Sequence, residues 1–428
     1  GVKEEYGTMG DFERLIAEAH KRDIRVILDY VLNHSSKLNP WFKAACADAD
    51  SPYRDFYNFT TDNREGWGGW HRVPGGEGWY FGDFDSSMPD LNYGPATSCA
   101  TNPTFLALVD AAKFWIDKGV DGFRLDAVKH IYDNQTSDEN PTFLNTFYTT
   151  LNQYFQGKSA LGYKDLYMVG ECWMGHGDMA KYYKGLPALF DFTAWENWMM
   201  YAINNSHAKW FPKDMIEQEK EYAKYRSDFI HATKLSNHDE NRARTTLGGS
   251  IERAKMAAAI LLTSVGSPYI YYGEEIGMLG SRGGNNTDAN RRLAMLWGDE
   301  DTIKDPSEAT FKSKYQVNGT VASQIIEESS LLNHYKKLIM IRNAYPEISR
   351  GEYKALSTSI EYVGGFVSTY NNSSVCVIHN VGSTSYEIDL TSLTTTEFKN
   401  LEVVIGLDSA SYENGKLIIG SQTSVVLK

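Results

Sequence analysis

The chain has 428 residues, 42% of them hydrophobic and 23% charged, which is the composition of a folded protein with more than one domain. Its formal net charge of −13 disfavours nucleic acid and anionic lipid as partners, because both attract basic proteins. It contains neither an apolar run of the ~18 residues that a transmembrane helix needs nor a C-x-x-C pair typical of structural zinc sites.

Apolar positions at helical spacing alternate with short apolar runs along most of the chain. The spacing predicts helices over Thr8–Lys21, Phe105–Lys118, Phe143–Phe155, Glu252–Thr263 and Leu331–Ile341. The runs predict buried strands over Val26–Tyr30, Gly122–Asp126, Leu166–Glu171, Ala232–Ser236 and Tyr269–Tyr272. Such alternation indicates a parallel sheet with crossover helices. Because several strands end in Asp, Glu or His, we expect a (β/α)₈ barrel with its active site at the carboxyl ends of the strands.

Two segments interrupt the alternation. Residues 35–93 are rich in Gly, Trp, Asp and Pro and have no long periodic helix, which indicates a small inserted domain, here called the B domain. Residues 350–428 contain short β-type runs separated by Ser, Asn and Gly, a pattern typical of an antiparallel β-sandwich. The barrel is therefore expected to comprise residues 1–34 and 94–349.

Three acidic residues each lie at or just beyond the end of a predicted strand: Asp126, Glu171 and Asp239. Glycoside hydrolysis uses two carboxyl groups, one ionised and one protonated, which in retaining enzymes lie close enough for one to attack the anomeric carbon. The strand ends of one barrel can bring distant residues together. A single acid at a strand end is more often a helix cap or a salt-bridge partner. Three of them, accompanied by Arg and His residues, indicate a catalytic site.

Four segments, in order along the chain, resemble the signature regions of the α-amylase family: DYVLNH (29–34), GFRLDAVKH (122–130), GECW (170–173) and LSNHD (235–239). A fifth segment, MPDLN (88–92), resembles the short motif of the family's B domain. The resemblance extends over essentially the whole chain, and the overall likeness is to bacterial starch-utilisation α-amylases and neopullulanases. It implies a retaining α-glucan hydrolase that contains a barrel, a B domain and a C-terminal sandwich.

Carried over by position, the resemblance implies that Asp126 is the nucleophile, Glu171 the general acid/base and Asp239 the carboxylate that orients the distorted sugar. Arg124 lies two residues before Asp126, so both side chains point to the same face of the strand. A guanidinium there favours the ionised carboxylate that a nucleophile must be. Glu171 must keep its proton until it donates it, which burial favours.

The resemblance also implies residues that bind substrate: His34, His238, Arg124, Lys129, His130, Asp288 and Arg292. A satisfied core histidine, solvated residues at a helix start and a surface salt bridge are the alternatives for these groups. Exo-acting members of the family usually lack the Lys129-His130 pair, so the pair favours an endo-type α-1,4 activity.

Amylases of the family often hold a structural calcium ion between the B domain and the barrel. Asn33 and Asp90 match its ligand positions, and the main-chain carbonyl of His130 would complete the set. Hard oxygen donors of this kind suit Ca²⁺. Ordinary hydrogen bonding at a domain junction is the alternative.

The resulting prediction is endo-type hydrolysis of α-1,4-glucosidic bonds in starch, maltooligosaccharides and pullulan. An exo-acting α-glucosidase or oligo-1,6-glucosidase, for which residues 88–92 leave room, and a non-catalytic glycan-binding relative are the alternatives. Family members normally have a strand, a helix and a second strand before the helix predicted at 8–21, so we expect the first barrel elements to be missing from this chain. We also expect an exported protein whose signal would lie upstream; the sequence does not indicate an oligomeric state.

Overall fold

The structure is a computed structural model that describes residues 1–283, 288–298, 300 and 303–428. The chain forms two compact units. The first unit comprises Gly1–Phe190 and Tyr222–Ile230, and the second comprises Asp191–Glu221 and His231–Lys428. The boundaries predicted for the barrel, the B domain and the C-terminal domain stay a prediction.

The first unit is built on parallel strands that alternate with helices. Its helices are α1 (Met9–His20), α2 (Pro40–Ala47), α3 (Pro103–Asp117), α4 (Glu139–Phe155) and α5 (His176–Met179). Its strands are β1 (Ile27–Val31), β2 (Phe59–Thr60), β3 (Trp70–Arg72), β4 (Trp79–Phe81), β5 (Gly122–Asp126), β6 (Tyr167–Glu171) and β7 (Ala188–Phe190). Strands β1, β5, β6 and β7 pair in this order, all in parallel. Within residues 35–93, β2 and β3 both pair with β4 in an antiparallel sheet.

Strand β5 separates the core of the first unit from polar side chains. Phe123 and Leu125 are fully buried and pack in one apolar cluster with side chains of α3 and α4, such as Phe105. Successive strand residues face opposite sides, so the residues between and after them, Arg124 and Asp126, face away from this cluster. Burial of each large apolar side chain contributes roughly 2–3 kcal/mol to holding the strand in place. The core therefore fixes the direction in which Arg124 and Asp126 point.

The second unit contains helices α6 to α13. These lie wholly or mostly within it: α6 (Phe192–Ala194), α7 (Met200–Asn204), α8 (Phe211–Ala223), α9 (Ala243–Thr246), α10 (Ile251–Thr263), α11 (Val321–Ile326), α12 (Leu331–Ala344) and α13 (Glu347–Arg350). A π-helix at Trp195–Met199 lies between α6 and α7. Strands β8 (Ile230–Lys234) and β9 (Ser267–Tyr269) pair in parallel.

The C-terminal part of the second unit is an antiparallel β structure, as predicted. Its strands are β10 (Glu352–Ala355), β11 (Val363–Tyr370), β12 (Ser373–Asn380), β13 (Tyr386–Asp389), β14 (Leu401–Gly406), β15 (Ala410–Glu413), β16 (Lys416–Ile419) and β17 (Thr423–Leu427). One sheet has the order β10-β11-β12-β17-β14 and the other the order β13-β16-β15. Buried side chains from both sheets, among them Ile378, Leu417 and Val425, pack together in one apolar cluster.

The strand predicted at Tyr269–Tyr272 is wrong in position, since β9 ends at Tyr269. The rings of Tyr271 and Tyr272 instead lie against the guanidinium of Arg242, at 4.5 and 4.7 Å from their centroids. The aromatic run therefore packs around a buried cation rather than extending a strand. The predicted strand over Ala232–Ser236 is likewise displaced by two residues relative to β8.

No helix among the described residues is long and apolar enough to span a membrane. The four cysteines, Cys46, Cys99, Cys172 and Cys376, are free thiols.

Candidate active site

In the first unit, one arginine holds three carboxylates at neighbouring strands. Arg124 Nη1 donates to Asp29 Oδ1 at 2.9 Å and to Asp126 Oδ1 at 2.6 Å, and its Nη2 donates to Glu171 Oε2 at 2.7 Å. The parallel register places Asp29 opposite Arg124 and Val31 opposite Asp126. The structure therefore brings together the predicted nucleophile and the predicted acid/base through one guanidinium.

Glu171 and Asp126 differ in their surroundings. The side chain of Glu171 is 11% exposed and that of Asp126 is 23% exposed. Burial raises the pKa of Glu171, the cation of Arg124 opposes this, and the charge of Asp126 adds to it. Burial alone would lower the pKa of Arg124, but Glu171 and Asp29 raise it, so the guanidinium stays charged. Glu171, whose burial favours the protonated form, thus lies beside the permanent positive charge of Arg124.

A main-chain group also holds Glu171. The amide N–H of Ala127 donates to Glu171 Oε2 at 3.2 Å. Ala127 adopts a φ of 47°, a left-handed conformation that is uncommon for residues other than glycine. This turn directly follows Asp126 and points the amide toward the end of β6. The two predicted catalytic carboxyl groups are therefore linked by main chain as well as by Arg124.

The predicted residues His34 and His130 both contact the ring of Phe84. The ring of Phe84 is 5.6 Å from His34 and 4.7 Å from His130, centroid to centroid. Burial lowers the pKa of both histidines, so both are neutral at pH 7. His130 Nδ1 also lies 3.4 Å from Asp83 Oδ2. Sequence reasoning missed Phe84 and Asp83, since the B-domain segment has no periodicity to mark them.

The ammonium of Lys129 is bonded to main chain. Lys129 Nζ donates to the carbonyl oxygen of Trp173 at 2.9 Å. This bond connects the segment after β5 with the segment after β6, and the side chain of Trp173 remains 41% exposed. The structure thus ties Lys129 to the segment that directly follows Glu171.

Two of the predicted calcium ligands, Asn33 and Asp90, are in contact. Asn33 is 1% and Asp90 6% exposed, and Asn33 Nδ2 donates to Asp90 Oδ1 at 3.4 Å. Burial raises the pKa of Asp90 to about 7, and the charges of Asp83 and Asp133 add to this. Asp90 and His130 both line a cavity of about 270 Å³. A cation here would compensate the buried carboxylate, so the amide, carboxylate and carbonyl oxygens fit a hard ion.

The calcium assignment has no further support from a cluster of side chains that commonly bind metals. Among the residues that the structure describes, there is no group of three or more His, Cys, Asp and Glu side chains that could hold a metal ion.

In the second unit, Asp239 lies between a histidine and an arginine. His238 Nε2 is 3.0 Å from Asp239 Oδ2, and Arg292 Nη2 donates to Asp239 Oδ1 at 2.7 Å. Burial would raise the pKa of Asp239, but His238 and Arg292 lower it, so the carboxylate is ionised at neutral pH. The predicted residue Asp288 lies 3.6 Å from Arg292 Nη2. The structure therefore brings these four predicted residues together.

Arg291 is a further residue of this cluster, and sequence reasoning missed it. Its Nη1 donates to the main-chain oxygen of Asp239 at 2.6 Å and to Asp288 Oδ1 at 3.3 Å. Arg291 is 7% exposed, whereas the side chain of Arg292 is 42% exposed. The buried arginine thus supports the backbone that carries Asp239. The adjacent pair of arginines was the signal that could have found it.

Comparison with known proteins identifies the family of the chain. Residues 1–351 match the family described as "Alpha amylase, catalytic domain". The chain belongs to the α-amylase family. It is similar to α-amylase SusG of Bacteroides thetaiotaomicron, with 33% identity over 100% of this chain and 82% of that protein. It is also similar to α-amylase 3 of Dictyoglomus thermophilum, with 36% identity over 99% of this chain and 80% of that protein.

The solved structure of Eubacterium rectale Amy13B has a TM-score of 0.86 and 32% identity, covering 100% of this chain and 83% of that one. The predicted α-amylase fold is thereby confirmed, and the chain is a glycoside hydrolase of this family. The oligo-1,6-glucosidase of Parageobacillus thermoglucosidasius is also similar, at 26% identity over 89% of this chain and 78% of that protein.

Proposed function

We propose that this α-amylase-family hydrolase cleaves internal α-1,4-glucosidic bonds of starch, maltooligosaccharides and pullulan, with retention of configuration. The observation that carries the proposal is the contact of Arg124 with both Asp126 and Glu171. Both carboxyl groups are bonded to this cation, but burial raises the pKa of Glu171, which favours the protonated form of this group. This is the division of roles that a double displacement needs.

In the first step, an oxygen of Asp126 attacks the anomeric carbon while Glu171 protonates the departing glycosidic oxygen. The carbon–oxygen bond to the leaving sugar breaks, and an ester between the glycosyl unit and Asp126 forms. In the second step, Glu171 takes a proton from water, whose oxygen attacks the same carbon and releases Asp126. Two inversions give net retention, and Glu171 ends in its protonated form.

The remaining predicted residues would act on the bound sugar. We propose that Asp239, ionised beside His238 and Arg292, accepts hydrogen bonds from hydroxyls of the distorted ring. Neutral His34 and His130 can both donate and accept hydrogen bonds to hydroxyls. Lys129 would face the leaving-group side.

The products test the endo-type assignment. Amylose viscosity should fall faster than reducing ends appear, and maltoheptaose should give several oligosaccharides at once. Glucose as the only early product would instead favour an exo-acting enzyme. The similarity to an oligo-1,6-glucosidase is the reason to test this alternative. Proton NMR of the first product should show the α-anomer, and early β-anomer would exclude retention.

The nucleophile assignment has its own test. Asp126→Asn should abolish turnover and leave maltooligosaccharide binding intact, because the amide keeps the shape but cannot form the ester at a useful rate. Asp29→Asn, which changes another carboxylate on Arg124, is the matched control and should retain far more activity. Near-parental rates in Asp126→Asn, or glucan binding without turnover by the parent, would favour the non-catalytic alternative.

We also propose a structural calcium ion held by Asn33, Asp90 and the carbonyl of His130. The cavity beside Asp90 and the buried, uncompensated charge of its carboxylate support this. The ion would supply positive charge and fix the B-domain segment to the end of β1. Export from the cell is proposed on family resemblance alone, and detection of the protein outside the cytoplasm of its host would test it.

A further inference from the structure

A buried ion pair lies in the second unit, next in sequence to the proposed sugar-orienting carboxylate Asp239. Lys234 is the last residue of β8, and its Nζ donates to Oε2 of Glu240. The side chains of Lys234 and Glu240 are 2% and 12% exposed. Lysine and glutamate are rarely so enclosed unless they are paired. Burial raises the pKa of Glu240 and the ammonium of Lys234 lowers it, so the two charges compensate each other inside the protein.

The loop between Lys234 and Glu240 carries His238 and Asp239. Within this loop the N–H of Asp239 donates to Oδ1 of Asn237 at 2.8 Å, and the N–H of Glu240 donates to the main-chain oxygen of Asn237 at 3.4 Å. Turns of this kind, in which an asparagine side chain bonds to the main chain two residues on, fix the local backbone. The side chain of Glu240 then returns to the end of β8. The ion pair therefore ties the far end of the loop to the strand from which the loop starts.

Two charged contacts hold the main chain around Asp239. Arg291 Nη1 donates to the main-chain oxygen of Asp239 at 2.6 Å. Lys234 binds the side chain of the next residue, Glu240. The carboxylate of Asp239 is 34% exposed and accepts from Arg292 Nη2 at 2.7 Å. Rotation of the peptide after Asp239 would disturb both main-chain contacts, so the ion pair limits the movement of this carboxylate.

An aromatic ring also contacts the ammonium of Lys234. Nζ lies 4.0 Å from the ring centroid of Phe192, which is within the range of a cation–π interaction. Phe192 is 1% exposed and is the first residue of α6. The ammonium therefore has a second contact besides Glu240, and its position is set by the packing of α6 against β8. A donor that is held in this way can orient its acceptor.

Stability alone does not account for an ion pair at this position. The loss of hydration of two buried charges offsets much of their attraction, so apolar side chains of similar volume often stabilise a fold as well. A charge-assisted hydrogen bond differs from an apolar contact because it is short and directional. The contribution that Lys234 and Glu240 make and that an apolar pair could not make is therefore orientation.

We propose that Lys234 and Glu240 are positioning residues for Asp239, and that their ion pair holds the loop so that the carboxylate is aligned before the sugar distorts. This inference rests on the proposed function, in which Asp239 binds hydroxyls of the distorted ring. Displacement of a group that acts in the transition state lowers kcat more than it raises KM. Loss of the pair should lower kcat on maltotetraose about 10- to 100-fold and change KM about threefold or less.

The experiment separates orientation from stability with two variants. Lys234→Met leaves a buried carboxylate without its cation and should lower both Tm and kcat. Lys234→Met/Glu240→Leu, here called the apolar variant, leaves no charge unpaired, so its Tm should return toward that of the parent. Its kcat should nevertheless stay low, because an apolar pair does not restore the directed contact. A merely structural pair would regain kcat together with Tm.

Two further variants serve as rescue and control. Lys234→Arg keeps a cation and should retain most of the parental kcat. Glu347→Gln is the matched control, because Glu347 is 2% exposed and is also bonded to a lysine, Lys428 Nζ, at 3.1 Å. Glu347→Gln should lower Tm and leave kcat and KM close to the parental values.

A double-mutant cycle tests whether the pair acts through Asp239. Groups that act as a unit have non-additive effects on the rate. When Asp239→Asn is present, the two substitutions of the apolar variant should lower kcat by only about twofold or less. The rates are measured on a nitrophenyl maltoside, whose activated leaving group raises the residual rate.

Three results would overturn the inference. In the first, the apolar variant regains both Tm and kcat. In the second, its loss of kcat is as large in the Asp239→Asn protein as in the parent. In the third, KM rises while kcat stays at the parental value. If the apolar variant does not fold, Glu240→Asp decides the question, because it keeps the charge and shortens the side chain by one methylene. Its kcat should fall severalfold, and a parental kcat in folded Glu240→Asp would contradict a positioning role.

Failure of the proposed function can be distinguished from failure of this inference. If the parent hydrolyses no α-glucan, the proposed function fails, and a crystal structure of the apolar variant still tests the pair. The carboxylate of Asp239 should then lie farther from Arg292 Nη2 than the 2.7 Å of the parent. A carboxylate that has not moved in the apolar variant would overturn the role of the pair.

Discussion

Arg124 donates from Nη2 to Oε2 of Glu171 at 2.7 Å, so the proposed proton donor of this hydrolase is bonded to a permanent cation. Burial favours the protonated carboxyl group and the guanidinium favours the ionised one. The working pH range of the enzyme follows from the balance of these two effects.

Removal of the guanidinium should shift the alkaline limit of activity. In Arg124→Met the pKa of Glu171 should rise, so the alkaline limb of kcat/KM should move upward by about 1 pH unit or more, at a much lower maximal rate. Arg124→Lys keeps a cation and should shift the limb less. A pH–rate profile of each variant on maltotetraose measures this. A downward shift in Arg124→Met would contradict the electrostatic account of Glu171.

The proton donated by Glu171 should matter only when the leaving group needs it. Glu171→Gln should lower kcat/KM on maltooligosaccharides by about 10²–10⁴-fold, the usual contribution of general acid catalysis. A maltoside with a nitrophenolate leaving group departs without a proton and should lose much less in the first step. Measurement of the pre-steady-state burst with both substrates separates the two. Equal losses would argue that Glu171 is not the acid.

Calcium should stabilise the fold through Asp90. Addition of Ca²⁺ at about 100 times its dissociation constant should add about 2.7 kcal/mol, raising Tm by several degrees relative to protein in chelator. Asp90→Asn should lose this response. Asp110→Asn, on the exposed face of α3, is the control and should keep it. A Tm that is the same in calcium and in chelator would exclude the proposed ion.

A buried histidine should make stability depend on alkaline pH. His231 is 1% exposed, with Nε2 at 2.8 Å from Asp191 and Nδ1 at 2.6 Å from Glu219. Burial lowers its pKa, but hydrogen bonds to the two carboxylates outweigh this and raise the pKa to about 10. Because the folded-state pKa exceeds the unfolded value of about 6.5, the contribution to stability is complete below pH 6.5 and is lost as pH passes 10.

His231→Gln should therefore destabilise the protein by about 3 kcal/mol near pH 6, since it leaves two carboxylates without their cation. The difference in Tm between parent and variant should shrink toward pH 10. His176→Gln replaces an exposed histidine and should change Tm little at any pH. A parent–variant difference that is constant from pH 6 to 10 would contradict a charged His231.

Sequence patterns predicted the elements that carry the catalytic groups because those elements are also core elements. Strand β5 was located at the correct residues, since Gly122, Phe123 and Leu125 are buried and the polar residues between them mark the opposite face. Phe84 was missed, because its position depends on a loop rather than on periodicity. Arg291 was missed for the related reason that its shortest bond runs to the main-chain oxygen of Asp239, a contact that no residue pattern in the sequence indicates.

Helix α8 is an element that sequence patterns did not predict. Charged residues dominate its sequence, FPKDMIEQEKEYA, so no apolar stripe was evident, yet Met215 is buried and Tyr222 fully enclosed. A few buried apolar side chains are therefore enough to hold a helix whose sequence pattern is that of an exposed segment.

The apolar cluster shared by α10, α12 and the C-terminal sheet determines what a truncated protein would be. Leu262 and Leu338 of the two helices pack in one cluster with Phe366, Val377 and Val426 of the sheet. In a chain that ended near residue 350, these helices would expose an apolar face that is prone to self-association. The C-terminal strands thus complete the core that the two helices share. An enzyme shortened by removing them should aggregate, and would not simply lose an accessory domain.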